Sequence, residues 1–338
     1  AAPRAAPAAP LRPEPLPPSS TPPVARTLPA SGTVRHAGAP AVANGAATPA
    51  QAADAAEMVF VDVDFLPTLV DVEEAMTSET LLYPDAGSNV VVDTTAVGMP
   101  DNTATDEFFA DCEVVVTGRF LNQRVAPCPL EVRGSAAAWV DGRLVQWVST
   151  QHAQAIKDPI VAANGIEADA VRFITPEVGG GFGAKIGTYA EEILLGPIAR
   201  QLGRPVTWRE TRSESMMCLG HGRAQLQHVT IGGTRDGRVT HLQEHVIQDC
   251  GAFADVGGVL PVAFGRAMTS AVYDIPNVEM RATSVVTNTT PTVPYRGAGR
   301  PEATAAAERA MDMFAAEIGV DAAEVRRINL IPKFSEPH

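Results

Sequence analysis

Apolar and polar positions alternate with a period of two along several stretches of this chain, the pattern of a half-buried strand. Residues 60–65 (FVDVDF) set apolar against acidic side chains and predict a half-exposed strand. Longer runs at 112–125, 136–140 and 144–149 predict further strands, with Asp141-Gly142 turning the chain between the last two. Strands are also predicted at 170–175, 205–210, 225–231, 239–248 and 278–286, and Asp236-Gly237 supplies the turn before 239. A helical period runs through 152–164, stopped by Gly165, and from about 188 to 202. Two helices close the chain at about 301–317 and 321–328; Gly319 ends the first and Asp321 caps the second. Residues 51–59 (QAADAAEMV) are helical by propensity, and 32–40 (GTVRHAGAP) read as a strand entering a turn.

These elements predict an α+β chain in two parts. A helix and then a strand, closed by Leu66-Pro67, make a small α/β first domain reaching to about Asn89. Gly, Asp and Thr dominate from 83 to 106, a long loop or connection. Beyond it, long antiparallel pieces with irregularly inserted helices make a larger mixed α+β domain rather than a regular βαβ series. Residues 1–30 hold ten of the 28 prolines and little to bury, so they read as an arm or linker.

Charge and composition narrow the partners. With 26 Lys+Arg against 39 Asp+Glu, a net −13, the chain gains nothing from counterion release, and nucleic acid is not expected. No run approaches 18 apolar residues, so no membrane span is predicted, and the proline-rich start has no apolar core of a secretory leader; the expectation is a cytoplasmic protein. Cys112, Cys128, Cys218 and Cys250 form no CxxC pair and have no histidine at zinc-site spacing, so they read as idle or buried thiols. No iron–sulfur cluster can be built from them alone.

Three motifs carry candidate chemistry. Residues 177–185 (EVGGGFGAK) place four glycines in five positions between a predicted strand and helix, which lets the backbone approach a ligand near a helix N-terminus. The same loop fits a tight turn with no ligand. It also fits, less well, a dinucleotide fold: Gly181 and Gly183 with Gly187 give GxGxxxG, one residue too long, with Glu210 as ribose acid after antiparallel strands. A P-loop is excluded, because Ile186 follows Lys185 where Ser or Thr is required. Gln151, in Ser149-Thr150-Gln151-His152, is either a solvated helix-start residue or an amide donor to a bound oxygen, and His152 reads as a surface residue. Residues 294–301 (PYRGAGRP) crowd two prolines, two glycines and two arginines together, which favours an anion site.

Taken in order, STQ, VGGGFGAK and YRGAGRPEA resemble the molybdenum-cofactor-binding subunits of the xanthine dehydrogenase and aldehyde oxidase family, including its carbon monoxide dehydrogenase-like group. NQRVAPCPLE (122–131), LGRPVTWRE (202–210), YDIPNVE (273–279) and VRRINLI (325–331) look like the same family, and the likeness covers roughly 28–338. It implies a Pro-rich arm at 1–27, a hammerhead-like domain and connection at 28–128, and the first molybdopterin-binding domain at 129–338. It implies that Gln151 lies beside the metal's apical oxo ligand, that the backbone of Gly180, Gly181, Phe182 and Gly183 faces metal and cofactor, and that Arg296 and Gly297 contact the same region. No side chain is expected to ligate the metal. The implied cofactor is molybdopterin, in its cytosine dinucleotide form, with FAD and [2Fe-2S] clusters on partner subunits. The implied reaction oxidises an aldehyde or N-heterocycle with water as the oxygen source.

Departures from the family refine this. Copper-containing carbon monoxide dehydrogenases carry a cysteine where this chain has Gly297, and purine hydroxylases carry a glutamate and an aromatic residue where this chain has Ile186 and Ala298. Family subunits run to roughly twice this length, with the catalytic glutamate near the far end. No catalytic base is therefore expected in this chain; the second molybdopterin-binding half is either a separate subunit or absent from an incomplete chain. A non-catalytic scaffold of the same complex and, more distantly, an NAD-dependent dehydrogenase are the rival readings.

Overall fold

In this computed structural model, residues 32–97 and 105–333 are described. The arm at 1–27 and residues 98–104 of the expected connection lie outside them. The first half runs α1 (Pro49–Glu57), α2 (Val72–Thr77), β1 (Val90–Asp93), α3 (Thr105–Phe108), β2 (Val114–Asn122), β3 (Gly134–Val140), β4 (Arg143–Val148), α4 (Ala153–Asn164) and β5 (Val171–Ile174). The second runs α5 (Ala190–Leu202), β6 (Val206–Arg209), α6 (Arg212–Cys218), β7 (Gln225–Gly233), β8 (Val239–Gly251), α7 (Leu260–Arg266), β9 (Asn277–Val286), α8 (Arg300–Ile318) and α9 (Ala322–Asn329).

The alternating runs assemble into two mixed sheets. The larger has the order β1-β9-β8-β7-β2, antiparallel throughout except for the parallel pair β8/β9. On one face, Val229 and Ile231 of β7 and Leu242 of β8 meet Ala306, Ala310 and Phe314 of α8, spaced four apart on one helical stripe. Alanines at two of these positions bring the helix close to the sheet, and burial of Phe314 contributes about 1.5–3 kcal/mol. The smaller sheet has the order β5-β4-β3-β6, with β4/β5 parallel and the other pairs antiparallel. Helices α4 and α5 bury Ile160, Leu195 and Ala199 against its Ala137, Leu144 and Val171.

Turn chemistry lies where the residue types demanded it. Asp141 and Gly142 have φ of 49° and 77°, the pair of positive angles a two-residue hairpin requires. Gly165 and Gly319 end α4 and α8 in the left-handed conformation, and Asp321 accepts from the Ala323 and Glu324 N–H groups.

The first 60 described residues depart from expectation. The predicted strands at 32–40 and 60–65 do not form, and among the described residues no strand precedes β1. Residues 60–65 lack a neighbouring strand to satisfy their backbone, and Phe60 and Phe65 stand 87 % and 95 % exposed. Helix α1 forms, capped by Thr48, but buries nothing. Among the described residues these elements build no sheet of their own. Instead Leu69, Ala75, Leu82 and Tyr83 pack onto Leu226, Ile247 and Val285 of the large sheet. The expected loop at 83–106 contains β1, whose three valines extend that sheet beside β9.

Candidate cofactor site

The three motifs converge through loops that leave the two sheets. Ser149 to Gln151 leave the end of β4, and the glycine loop leaves the end of its parallel neighbour β5, so both motifs lie beyond the carboxyl ends of the pair. The third motif follows β9, the parallel neighbour of β8 in the other sheet. The two loops interlock: Arg296 N–H donates to the Phe182 carbonyl at 2.9 Å, and a Cβ on Gly183 would overlap the Pro294 carbonyl.

Gln151 is held by the glycine loop. Its Oε1 accepts from the Gly183 N–H at 2.8 Å and the Lys185 N–H at 3.3 Å, while its own N–H donates to the Lys185 carbonyl at 2.9 Å. With the carbonyl end committed to two donors, the amide NH2 of this exposed side chain is the end turned outward. Within the loop, Gly180 and Gly183 have φ of 103° and 100°, and Phe182, a residue with a side chain, is held at 55°. Such a conformation in a bulky residue persists only where its surroundings over-determine it. The Gly180, Gly181 and Phe182 N–H groups find no hydrogen-bond acceptor among the described residues.

The two arginines of the third motif separate into different roles. Arg296 is exposed, with its guanidinium 5.6 Å from the centre of the Phe182 ring. Arg300 donates back to the Gly297 carbonyl at 3.1 Å and lies over the Phe264 ring, fastening its own turn. Gly297 has φ of 103°, and a Cβ there would press on the Pro301 ring at 2.7 Å, so the position is built for glycine. His152 stands exposed at the start of α4 and makes no capping bond.

Residues passed over in the sequence hold this arrangement together. Lys185, 1 % exposed, donates through Nζ to the Glu131 carboxylate at 2.8 Å, the Glu131 carbonyl at 2.9 Å and Ser149 Oγ at 2.9 Å. Glu131 Oε2 also accepts from Ser149 Oγ at 2.6 Å and the Gly179 N–H at 2.8 Å. Burial raises the Glu131 pKa, but the Lys185, Ser149 and Gly179 bonds outweigh it and hold the carboxyl below its ordinary value. One ion pair thereby ties the Glu131, Ser149–Gln151 and glycine-loop segments to one another. Arg124 does similar work behind the third motif, reaching Asp249 at 2.6 Å and Thr289 at 2.7 Å. A lysine inside a glycine loop and a lone Glu after Pro-Leu were the available signals; their partners lie too far apart in sequence for either to identify the other.

The same geometry removes the dinucleotide reading. Glu210 is 2 % exposed and holds Arg133 through its N–H at 2.8 Å and Nε at 2.9 Å, leaving no free acid for a ribose. Strand β5 is parallel to β4, not antiparallel as expected, but β6 lies across the sheet beside β3 and antiparallel to it, so no second parallel unit follows the loop. Among the described residues no cluster of His, Cys, Asp and Glu is placed to hold a metal ion, and no helix is long and apolar enough to cross a membrane.

A glycine loop with unpaired N–H groups, an amide NH2 without a partner and an exposed guanidinium have the chemistry that an anionic, oxygen-rich group requires. Residues 82–330 match the family model of the molybdopterin cofactor-binding domain, and the chain belongs to that family. In particular it is similar to the nicotine 6-hydroxylase large subunit of Paenarthrobacter nicotinovorans, 31 % identical over 92 % of this chain and 38 % of the relative. It is also similar to the carbon monoxide dehydrogenase large chain of Hydrogenophaga pseudoflava, 31 % identical over 85 % of this chain and 38 % of that one. Among solved structures, quinoline 2-oxidoreductase from Pseudomonas putida 86 superposes with a TM-score of 0.82 at 31 % identity, covering 91 % of this chain and 39 % of that chain. The aldehyde oxidoreductase from Desulfovibrio gigas does so at 0.75 and 26 %, covering 84 % and 31 %. The chain therefore spans under two fifths of the length of these relatives.

Proposed function

We propose that this chain forms one wall of the molybdenum-cofactor site of a hydroxylase that oxidises a small aldehyde or N-heterocycle. The observation that carries this is the orientation of Gln151, whose carbonyl is bound by the glycine loop and whose exposed NH2 has no partner among the described residues. The residues fit the group: unpaired loop N–H groups and a cation suit its anionic oxygens, and the flat Phe182 ring stands beside them. When bound, the molybdenum centre supplies the two-electron oxidation of a substrate carbon. This chain's part would be to hold and polarise: the Gln151 NH2 would donate to an oxygen of the bound group, and Arg296, beside the Phe182 ring, would offset its negative charge.

The finer assignments extend the same reading. Gln151, Gly180, Gly181, Phe182, Gly183, Arg296 and Gly297 make up the cofactor wall, with the cytosine dinucleotide form as the cofactor. The base belongs to a second molybdopterin-binding half, and electrons leave through [2Fe-2S] and FAD subunits of a cytoplasmic complex. The proposed bounds are 28–128 for a hammerhead-like unit and its connection and 129–338 for the first molybdopterin-binding domain, although β1 and β2 of the former pair into the sheet of the latter and the family match begins at residue 82. A relative named as a dehydrogenase complex subunit supports assembly with partners. The glycine-only geometry at Gly297 argues against a copper-tethering cysteine there.

The test is metal analysis of the purified native complex together with Gln151→Ala. We expect molybdenum in the native complex, retained in the variant, and turnover down by roughly 10²–10³ through loss of one preorganised donor. A native complex without molybdenum, or a variant with unchanged turnover at full metal content, overturns the assignment.

A further inference from the structure

Arg296 makes no side-chain hydrogen bond among the described residues, so its position in the cradle depends on what holds its backbone. That hold comes from Arg223. Its NH1 donates to the Tyr295 carbonyl at 2.7 Å and its NH2 to the Arg296 carbonyl at 2.9 Å, two successive carbonyls taken by one planar fork. The guanidinium also lies 4.7 Å over the Tyr295 ring and pairs with Glu302 Oε1 at 3.2 Å. The pair is shielded, with side chains 13 % and 1 % exposed, and Glu302 sits in the first turn of α8, directly after the loop.

The main chain around Arg223 is shaped for this reach. Arg223 and Ala224 have φ of 63° and 59°, consecutive left-handed residues with side chains and no glycine to relieve them. Buried Gln248 secures them by donating to the Arg223 carbonyl at 3.1 Å, and the Asp249 N–H donates to the Ala224 carbonyl at 3.0 Å. Gly222 stands against Tyr295, where a Cβ would overlap the Tyr295 side chain. A strained turn, a glycine for close approach and a buried counter-ion all serve the placing of one guanidinium beneath one loop.

We propose that Arg223, with Glu302 as its counter-ion, is the positioning residue that sets where Arg296 meets the cofactor. The inference rests on the molybdenum-site reading above. Arg223 reaches no cofactor group itself; it acts through the two loop carbonyls. Replacing its fork with the ammonium of lysine keeps the charge beside Glu302 but loses the two rigidly spaced nitrogens that take the two carbonyls side by side.

The experiment compares native holoenzyme with Arg223→Lys and Glu302→Gln. Its readouts are amide hydrogen exchange over residues 294–300, molybdenum content, the electron paramagnetic resonance signal of the molybdenum centre, and kcat and KM. Faster exchange confined to 294–300 is expected in both variants. In Arg223→Lys the metal is retained, KM is little changed, the resonance signal is altered, and turnover per molybdenum falls about tenfold to hundredfold, the scale of an ångström-level misplacement. Glu302→Gln keeps the fork and shows a smaller loss in the same direction. A purely structural role predicts a lower melting temperature with unchanged loop exchange and unchanged turnover per molybdenum, and that result overturns the proposal. A native enzyme without molybdenum defeats the site reading instead; loop exchange in the same variants still decides whether Arg223 holds the loop.

Discussion

Gly181 and Gln151 share one volume: a Cβ built on Gly181 falls inside the van der Waals envelope of the Gln151 amide. The glycine is therefore required by the glutamine that the same loop holds in place, and the two positions are one unit.

This coupling makes a double substitution informative. Gly181→Ala should displace Gln151, destabilise the protein by about 1–3 kcal/mol as an overpacked contact, and lower turnover. Adding Gln151→Ala removes the group that clashes, so melting temperature should recover while turnover stays low. A double variant that melts no higher than Gly181→Ala would show that the methyl is met by something other than Gln151.

The Lys185–Glu131 pair should respond asymmetrically. Glu131→Ala leaves an ammonium that is 1 % exposed without its counter-ion and should cost about 3–5 kcal/mol. Lys185→Met should cost less, because the Glu131 side chain is 35 % exposed and keeps the Ser149 and Gly179 donors. Chemical denaturation of both variants checks the order; equal losses would count against the burial argument. The depressed Glu131 pKa adds a sign: its contribution is present above the unfolded value of 4.5 and is lost as pH falls through the lower folded value.

Arg296→Lys keeps a positive charge but loses the planar fork. Molybdenum content should fall only in part, while turnover per molybdenum falls strongly. Wild-type turnover in that variant would return Arg296 to a plain surface charge.

Glu244 offers a pH test remote from the chemistry. It is fully buried on β8, accepts from Gln227 Nε2 at 3.2 Å, and burial pushes its pKa up to about 7. A raised acid pKa means stability is greatest below the unfolded value of 4.5 and is lost as pH rises through about 7. Glu244→Gln, neutral at every pH, should therefore melt higher than wild type at pH 8 and show little difference at pH 4.5. Melting curves at the two pH values settle it, and a difference independent of pH would refute the burial of a charge there.

What the sequence made legible follows from how local each cause is. The turns at Asp141-Gly142 and Gly165, the cap at Asp321 and the long runs that became β7, β8 and β9 are dictated within a few residues, and they form as read. The placement of the chemical motifs on loops was legible for the same reason: clustered glycines and a glutamine at a strand end leave local marks. Helices α2, α6 and α7 are six or seven residues long, too short to develop a periodicity, and β1 was hidden in a turn-rich stretch. The alternation at 60–65 was read correctly as chemistry and wrongly as structure, since a strand also needs a neighbour. Lys185 with Glu131, and Arg223 with Glu302, were out of reach because their partners stand 54 and 79 residues away.

The open stretch at 60–65 has a consequence for how the chain behaves in a crowd. A segment without strand partners, with Phe60 and Phe65 laid bare, would in this chain by itself be a place where further copies could pair edge to edge. Asp62 and Asp64, on one side of the same stretch, oppose that outcome: parallel in-register pairing sets each aspartate against its twin, and antiparallel pairing about Val63 sets Asp62 against Asp64. The alternation that marks the segment as sticky therefore also carries its gatekeepers, which turn identical chains away.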